Sequence, residues 1–173
     1  MHTWIALLRG INVGGKHILP MKELRALLEG LGYRRVRTYI QSGNVVFESE
    51  ARPDTEAISA AIGKKYGFRP TVFILSPGDL RRAAENNPYP TDAGKFVHFQ
   101  FCDRVPEVFD EQVLASLKAP SESYRLIDQV FYLYAPDGIG RSKLAARVDK
   151  AFPGVTLTAR NLNTVNKLLE MVE

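Results

Sequence analysis

Arg9, Asn12, Gly14, Gly15 and Lys16 crowd into one short stretch, Leu-Leu-Arg-Gly-Ile-Asn-Val-Gly-Gly-Lys at residues 7–16. Glycine permits positive φ and lets backbone N–H groups turn toward a ligand, while Arg9 and Lys16 bring the positive charge that favours phosphate or carboxylate. A second polar segment, Gln41-Ser42-Gly43-Asn44, offers hydrogen-bonding side chains around another glycine. A third, with Arg160 and Asn161, opens the last helical pattern, where free N–H groups attract an anion or are simply capped by Asn161 or Asn163. The chemistry on offer is binding and electrostatic stabilisation. Ser42 is the one nucleophile candidate, and no base stands near it in the pattern.

Gly10 to Lys16 also matches the start of a phosphate-binding P-loop, Gly-x-x-x-x-Gly-Lys, but His17 stands where Ser or Thr should hold magnesium. Pro20 marks a helix start after the loop, not at it, and a hairpin follows where that fold needs a parallel strand. No cofactor is assigned on this basis. His2, His17 and His98 are scattered and Cys102 is the sole cysteine, which excludes a cysteine-rich zinc site and an intrachain disulfide; no metal is expected.

The elements around these residues follow from periodicity. Met21, Leu24, Leu27, Leu28 and Leu31 recur at helical spacing between Pro20 and Gly32. Residues 36–41 and 45–48 are β-prone around Ser42-Gly43-Asn44, a hairpin signal. With the apolar run Trp4–Leu8 as strand one, helix 54–66 and strand 71–75 complete a β-α-β-β-α-β order, a connecting helix 77–86 follows, and Asn87-Pro88-Tyr89-Pro90 breaks the chain. The order recurs: strand 96–102, helix 107–117, strands 124–127 and 130–134, helix 142–152, strand 155–158 and a final amphipathic helix.

The expected fold is therefore α+β: two tandem ferredoxin-like halves with antiparallel sheets, residues 1–90 and 91–173, plus a C-terminal helix. Such small halves are expected to pack on one another and leave a cleft. In this topology strand one and strand two run parallel with strand three between them, so the hairpin turn and the end of strand one share an edge. That brings Gln41 to Asn44 beside Arg9 to Lys16. Two readings fit the glycines, ligand contact or the stereochemical needs of tight turns.

Residues 7–16, Met-Lys-Glu-Leu-Arg at 21–25, Thr-Tyr-Ile-Gln-Ser-Gly-Asn-Val-Val-Phe at 38–47 and Ala-Arg-Asn-Leu-Asn-Thr-Val at 159–165 together resemble the domain-of-unknown-function family 1697. The resemblance covers nearly the whole chain. It implies an α+β protein of a mostly bacterial family, with the same arginine-glycine loop, Gln-Ser-Gly-Asn turn and Arg-Asn motif, and it implies no activity. Leu162 departs from the aromatic residue usual at that position, which removes a stacking group.

With 23 Lys and Arg against 19 Asp and Glu, the net charge of +4 suits a soluble enzyme as well as a nucleic-acid binder. The apolar run Trp4–Leu8 is too short for a signal peptide or membrane span, so a cytoplasmic protein with no membrane partner is expected. The leading expectation is a small phosphorylated or anionic ligand, including a nucleotide, at the basic loop. The alternative is a nucleic-acid-binding module, tested by salt dependence; a third option is self-association.

Overall fold

The computed structural model describes residues 1–173 and divides into two compact units, Met1–Arg81 with Lys167–Glu173, and Arg82–Asn166. In the first unit, β1 (His2–Leu8) is followed by α1 (Met21–Gly30), β2 (Arg34–Tyr39), β3 (Asn44–Ser49), α2 (Thr55–Tyr66) and β4 (Val72–Leu75). The sheet order is β2-β3-β1-β4, and β1 is antiparallel to both neighbours. Its last four residues, Ile5–Leu8, are buried because a central strand covered on both faces has no solvent side. Leu24 and Leu28 of α1 and Ile58 and Ile62 of α2 pack with Ala6, Leu8, Val45 and Phe47. Burying one such large apolar side chain contributes roughly 1.5–3 kcal/mol. The helix ends follow local rules: the Asp54 carboxylate accepts from the N–H groups of Glu56 and Ala57, and Gly67 ends α2 in the left-handed conformation.

Helix α3 (Pro77–Glu85) leads to the second unit, with β5 (Val97–Cys102), α4 (Glu111–Leu117), β6 (Ser123–Ile127), β7 (Val130–Tyr134), α5 (Lys143–Arg147), β8 (Leu157–Asn161) and α6 (Leu162–Val172). Its sheet order, β6-β7-β5-β8, repeats the first with the same antiparallel pairings. Phe131, Leu133, Leu144 and Phe152 centre the core. The protein is thus a mixed α/β chain with two four-stranded antiparallel sheets and six α-helices.

Several boundaries move from their expected places, each for a local reason. Residues 107–110 are not helical, because Asp110 is the cap, accepting from Gln112 and Val113. The helix expected over 142–152 shortens to α5 and continues as a 3-10 turn, Val148–Ala151. Strand β2 ends at Tyr39, leaving Ile40 and Gln41 in the turn, and β8 runs on to Asn161, so Arg160 and Asn161 are strand residues. The Asn87–Pro90 break falls inside the second unit, consistent with the Tyr132 hydroxyl donating to the Ala83 carbonyl at the end of α3. The division between units passes through α6, after Asn166.

His98 in β5 is 6% exposed, and its Nε2 has no hydrogen-bond partner. Burial lowers its pKa below the ordinary imidazole value, although a hydrogen bond to the Lys95 backbone acts in the opposite sense. The unfolded chain therefore takes up a proton at higher pH than the folded one, and stability falls as pH drops below about 6.5. Urea midpoints measured between pH 8 and 5 should decline through that window in the wild type. The decline should be shallower in His98→Leu; an unchanged slope would show that other groups carry it.

Candidate functional site

The chain leaving β1 forms a small ribbon. Lys16 N–H donates to the Val13 carbonyl at 3.0 Å and Asn12 N–H to the His17 carbonyl at 3.0 Å, so Gly14 and Gly15 are the two loop residues of a tight hairpin. Their φ values, 58° and 73°, are those of a type I′ turn, which side chains with a Cβ adopt at a cost. Val13, Gly14, Gly15 and Lys16 are exposed.

Asn12 holds the base of this ribbon. Its Nδ2 donates to the carbonyls of Leu19 (2.9 Å) and Gln41 (2.8 Å), while its Oδ1 accepts from Leu19 N–H at 2.7 Å. The amide that reads as a ligand donor in the sequence ties the β1–α1 connection to the β2–β3 turn. That turn meets β1 again where Leu8 N–H donates to the Gly43 carbonyl at 2.9 Å. Within it, the fully buried Asn44 donates from Nδ2 to the Tyr39 carbonyl (3.1 Å) and Ser42 Oγ (2.9 Å). Ile40, a β-branched residue at φ 49°, shows how tightly the turn is drawn. The two polar loops do converge, and side-chain and backbone groups of both are used to hold the convergence in place.

On the opposite side of β1, Arg9 N–H donates to the Thr71 carbonyl at 3.0 Å, which sets the segment before β4 beside the ribbon. A hollow of about 380 Å³ opens there, lined by Arg9, Gly10, Val13, Lys16 and His17 from the ribbon side and by Phe68–Thr71. His17 lies flat on Phe68, with ring centroids 4.6 Å apart and planes 13° apart. Its Nδ1 is 3.1 Å from the Gly10 carbonyl, an acceptor, so Nδ1 carries the proton of that hydrogen bond. Arg69 reaches Glu56 at 3.6 Å across exposed surface, a weakly held pair. No carboxylate lines the hollow.

Of the residues singled out from the sequence, Arg9 and Lys16 line this hollow, whereas Asn12, Gly14, Gly15, Gln41, Ser42, Gly43 and Asn44 do not. Phe68, Arg69, Pro70 and Thr71 are the lining residues before β4 that sequence reasoning passed over. The signal for them was topological: a fourth strand paired antiparallel with the first places the residues before it next to the residues after β1.

Arg160 and Asn161 belong to the second unit. The Arg160 side chain is buried, with Nη1 donating to Thr158 Oγ1 (2.9 Å) and the Ala159 carbonyl (2.7 Å), and burial lowers its pKa to about 10. It therefore stays charged at neutral pH. Asn161 Oδ1 accepts from Thr164 N–H at 2.9 Å and is the cap of α6. Cys102 is buried, and its thiol is pushed up to about 12 by burial and by Asp103, the state of an inert cysteine. No group of three or more His, Cys, Asp or Glu side chains is placed to hold a metal ion. No helix is long and apolar enough to cross a membrane.

Among curated proteins, none matches the chain. Among solved structures, the chain is similar to the conserved bacterial protein SP0830 from Streptococcus pneumoniae, with 26% identity, a TM-score of 0.69, and 99% of this chain and 98% of that one covered. The family model described as "Protein of unknown function (DUF1697)" matches residues 1–132, which takes in the ribbon, the Asn12 clamp and the whole hollow. The chain belongs to that family.

Proposed function

We propose that this protein binds a small phosphorylated ligand, a nucleotide among the candidates, in the hollow beside the ribbon. One observation carries the reading: Arg9, Lys16, His17 and Arg69 line a single hollow without a carboxylate. Arg9, Lys16 and Arg69 around one depression attract phosphate by charge-assisted hydrogen bonds, and the rings of Phe68 and His17 give an organic group a flat wall. The cations are exposed, so each contributes on the order of 1 kcal/mol and salt screens the interaction. The strand orders β2-β3-β1-β4 and β6-β7-β5-β8 support reading both units as ferredoxin-like, with the hollow at the end of the central β1. A cytoplasmic setting is part of the same proposal and is supported by the single, buried, unpaired cysteine.

Charge distribution favours a second reading, nucleic-acid binding. The first unit carries 13 Lys and Arg against 9 Asp and Glu, and the second carries 10 against 10, so the whole surplus lies in the first.

Thermal unfolding against nucleotides, sugar phosphates, orthophosphate and oligonucleotides, at low and high salt, separates the two. A native-state ligand at one hundred times its Kd adds about 2.7 kcal/mol and raises the midpoint. The expected result is a shift with a small phosphate compound that disappears in the folded Arg9→Ala/Lys16→Ala variant. A shift with oligonucleotides alone, lost in salt, would replace this reading with the second. The same shift in wild type and variant would remove the hollow as the site.

A further inference from the structure

We infer that the ligand of this hollow carries two adjacent phosphoryl groups and is held as the metal-free diphosphate by Arg9, Lys16 and Arg69. The inference rests on the reading of the hollow as an anion site and concerns what fills it.

The three cations come from three backbone stations. Arg9 follows the end of β1, Lys16 lies on the outgoing arm of the ribbon, and Arg69 stands in the lead-in to β4. Arg9 is bonded through its backbone to Thr71, and neighbouring strands are about 4.8 Å apart. Three cationic side chains around one hollow match the charge of a diphosphate more closely than that of a single phosphoryl group. The volume of about 380 Å³ lies in the range of sites for organic ligands, roughly 300–1,000 Å³. Val13, Phe68 and Pro70 supply the apolar wall that the rest of such a ligand needs.

Charge balance points the same way. Every charged side chain of the lining is cationic, and the carboxylate that pairs with Arg69, Glu56 at 3.6 Å, lies outside the lining in an exposed, weakly held contact that a diphosphate would replace. A magnesium ion on the diphosphate would face Arg9 and Lys16 with no carboxylate to receive it, and would compete with them for the phosphate oxygens. The positive surplus of the first unit adds a longer-range field that favours multiply charged anions over singly charged ones.

Titration calorimetry on the full chain at low ionic strength, with orthophosphate, pyrophosphate and magnesium pyrophosphate, tests this. Pyrophosphate should bind about tenfold or more tighter than orthophosphate, a difference of about 1.4 kcal/mol. Added magnesium should weaken it. Arg69→Gln, which keeps a long stem against Gly63, should reduce pyrophosphate binding toward the orthophosphate level, with unfolding curves confirming the fold. Equal affinity for the two anions, or tightening by magnesium, overturns the diphosphate. If both anions bind equally and Lys16→Ala weakens both, the anion site stands without it; if neither binds, both readings fall.

Discussion

Replacing Asn12 with alanine is expected to lower the stability of the protein by about 2–4 kcal/mol. The substitution strands the Leu19 N–H and removes the donor that serves the Leu19 and Gln41 carbonyls. Each part-buried polar group left without a partner costs roughly 1–3 kcal/mol, reduced here by the water that reaches a half-exposed site. Asn12 also sits at φ 53°, a conformation asparagine tolerates better than alanine, which adds about 1 kcal/mol. Urea unfolding at neutral pH measures the sum. Asn12→Asp is the informative companion, since it keeps the acceptor for Leu19 N–H but sets a carboxylate oxygen against the Leu19 and Gln41 carbonyls. It should be at least as destabilised as alanine, whereas a stability near wild type would place the stabilisation in the Leu19 N–H bond alone. In both variants the ribbon loses its tie to the β2–β3 turn. Ligand affinity should therefore drop although Asn12 does not line the hollow.

Gly43→Ala, which adds one methyl group, is expected to cost about 2–4 kcal/mol. A Cβ at this position would stand 2.8 Å from Leu8 Cβ and 2.9 Å from Ile11 Cδ1. Leu8 Cβ is anchored to a central strand and cannot swing aside, and Ile11 is itself buried. The φ of 87° adds about 1–2 kcal/mol for any residue with a Cβ. Gly14→Ala makes a useful contrast, because that position also has positive φ but opens onto empty space. Denaturation midpoints should rank Gly43→Ala well below Gly14→Ala. Equal midpoints would mean that steric approach to Leu8 contributes nothing and the backbone conformation accounts for everything.

The order of elements was legible because hydrophobic periods, prolines and glycines mark it directly, as Met21 to Leu31 and the Pro20 and Gly32 boundaries show. The meeting of the Arg9 loop with the Gln41–Asn44 turn was legible too, since it follows from where a crossover returns the chain. The use made of the amides was not. Asn12 and Asn44 are the polar side chains a ligand would want, but turns leave backbone carbonyls without partners, and the nearest amide donors satisfy them. Phe68, Arg69, Pro70 and Thr71 carry no motif. They enter the hollow only through the pairing of β4 with β1, which a local pattern cannot display.

The two units brace the end of their first strand in the same way. Leu8 and Arg9 donate to the Gly43 and Thr71 carbonyls, and Cys102 and Asp103 donate to those of Gln129 and Thr156. Both braces share a main-chain frame, which leaves the side chain after the strand free to differ between the copies. One copy places a guanidinium there; the other places a carboxylate that accepts from Thr156 N–H at 3.0 Å and pairs with Arg104. The consequence is modularity. A repeated scaffold of this kind can be rewritten at one strand terminus while its twin keeps its own sequence, and the segment after β5 is the natural place to exchange a loop without disturbing either core.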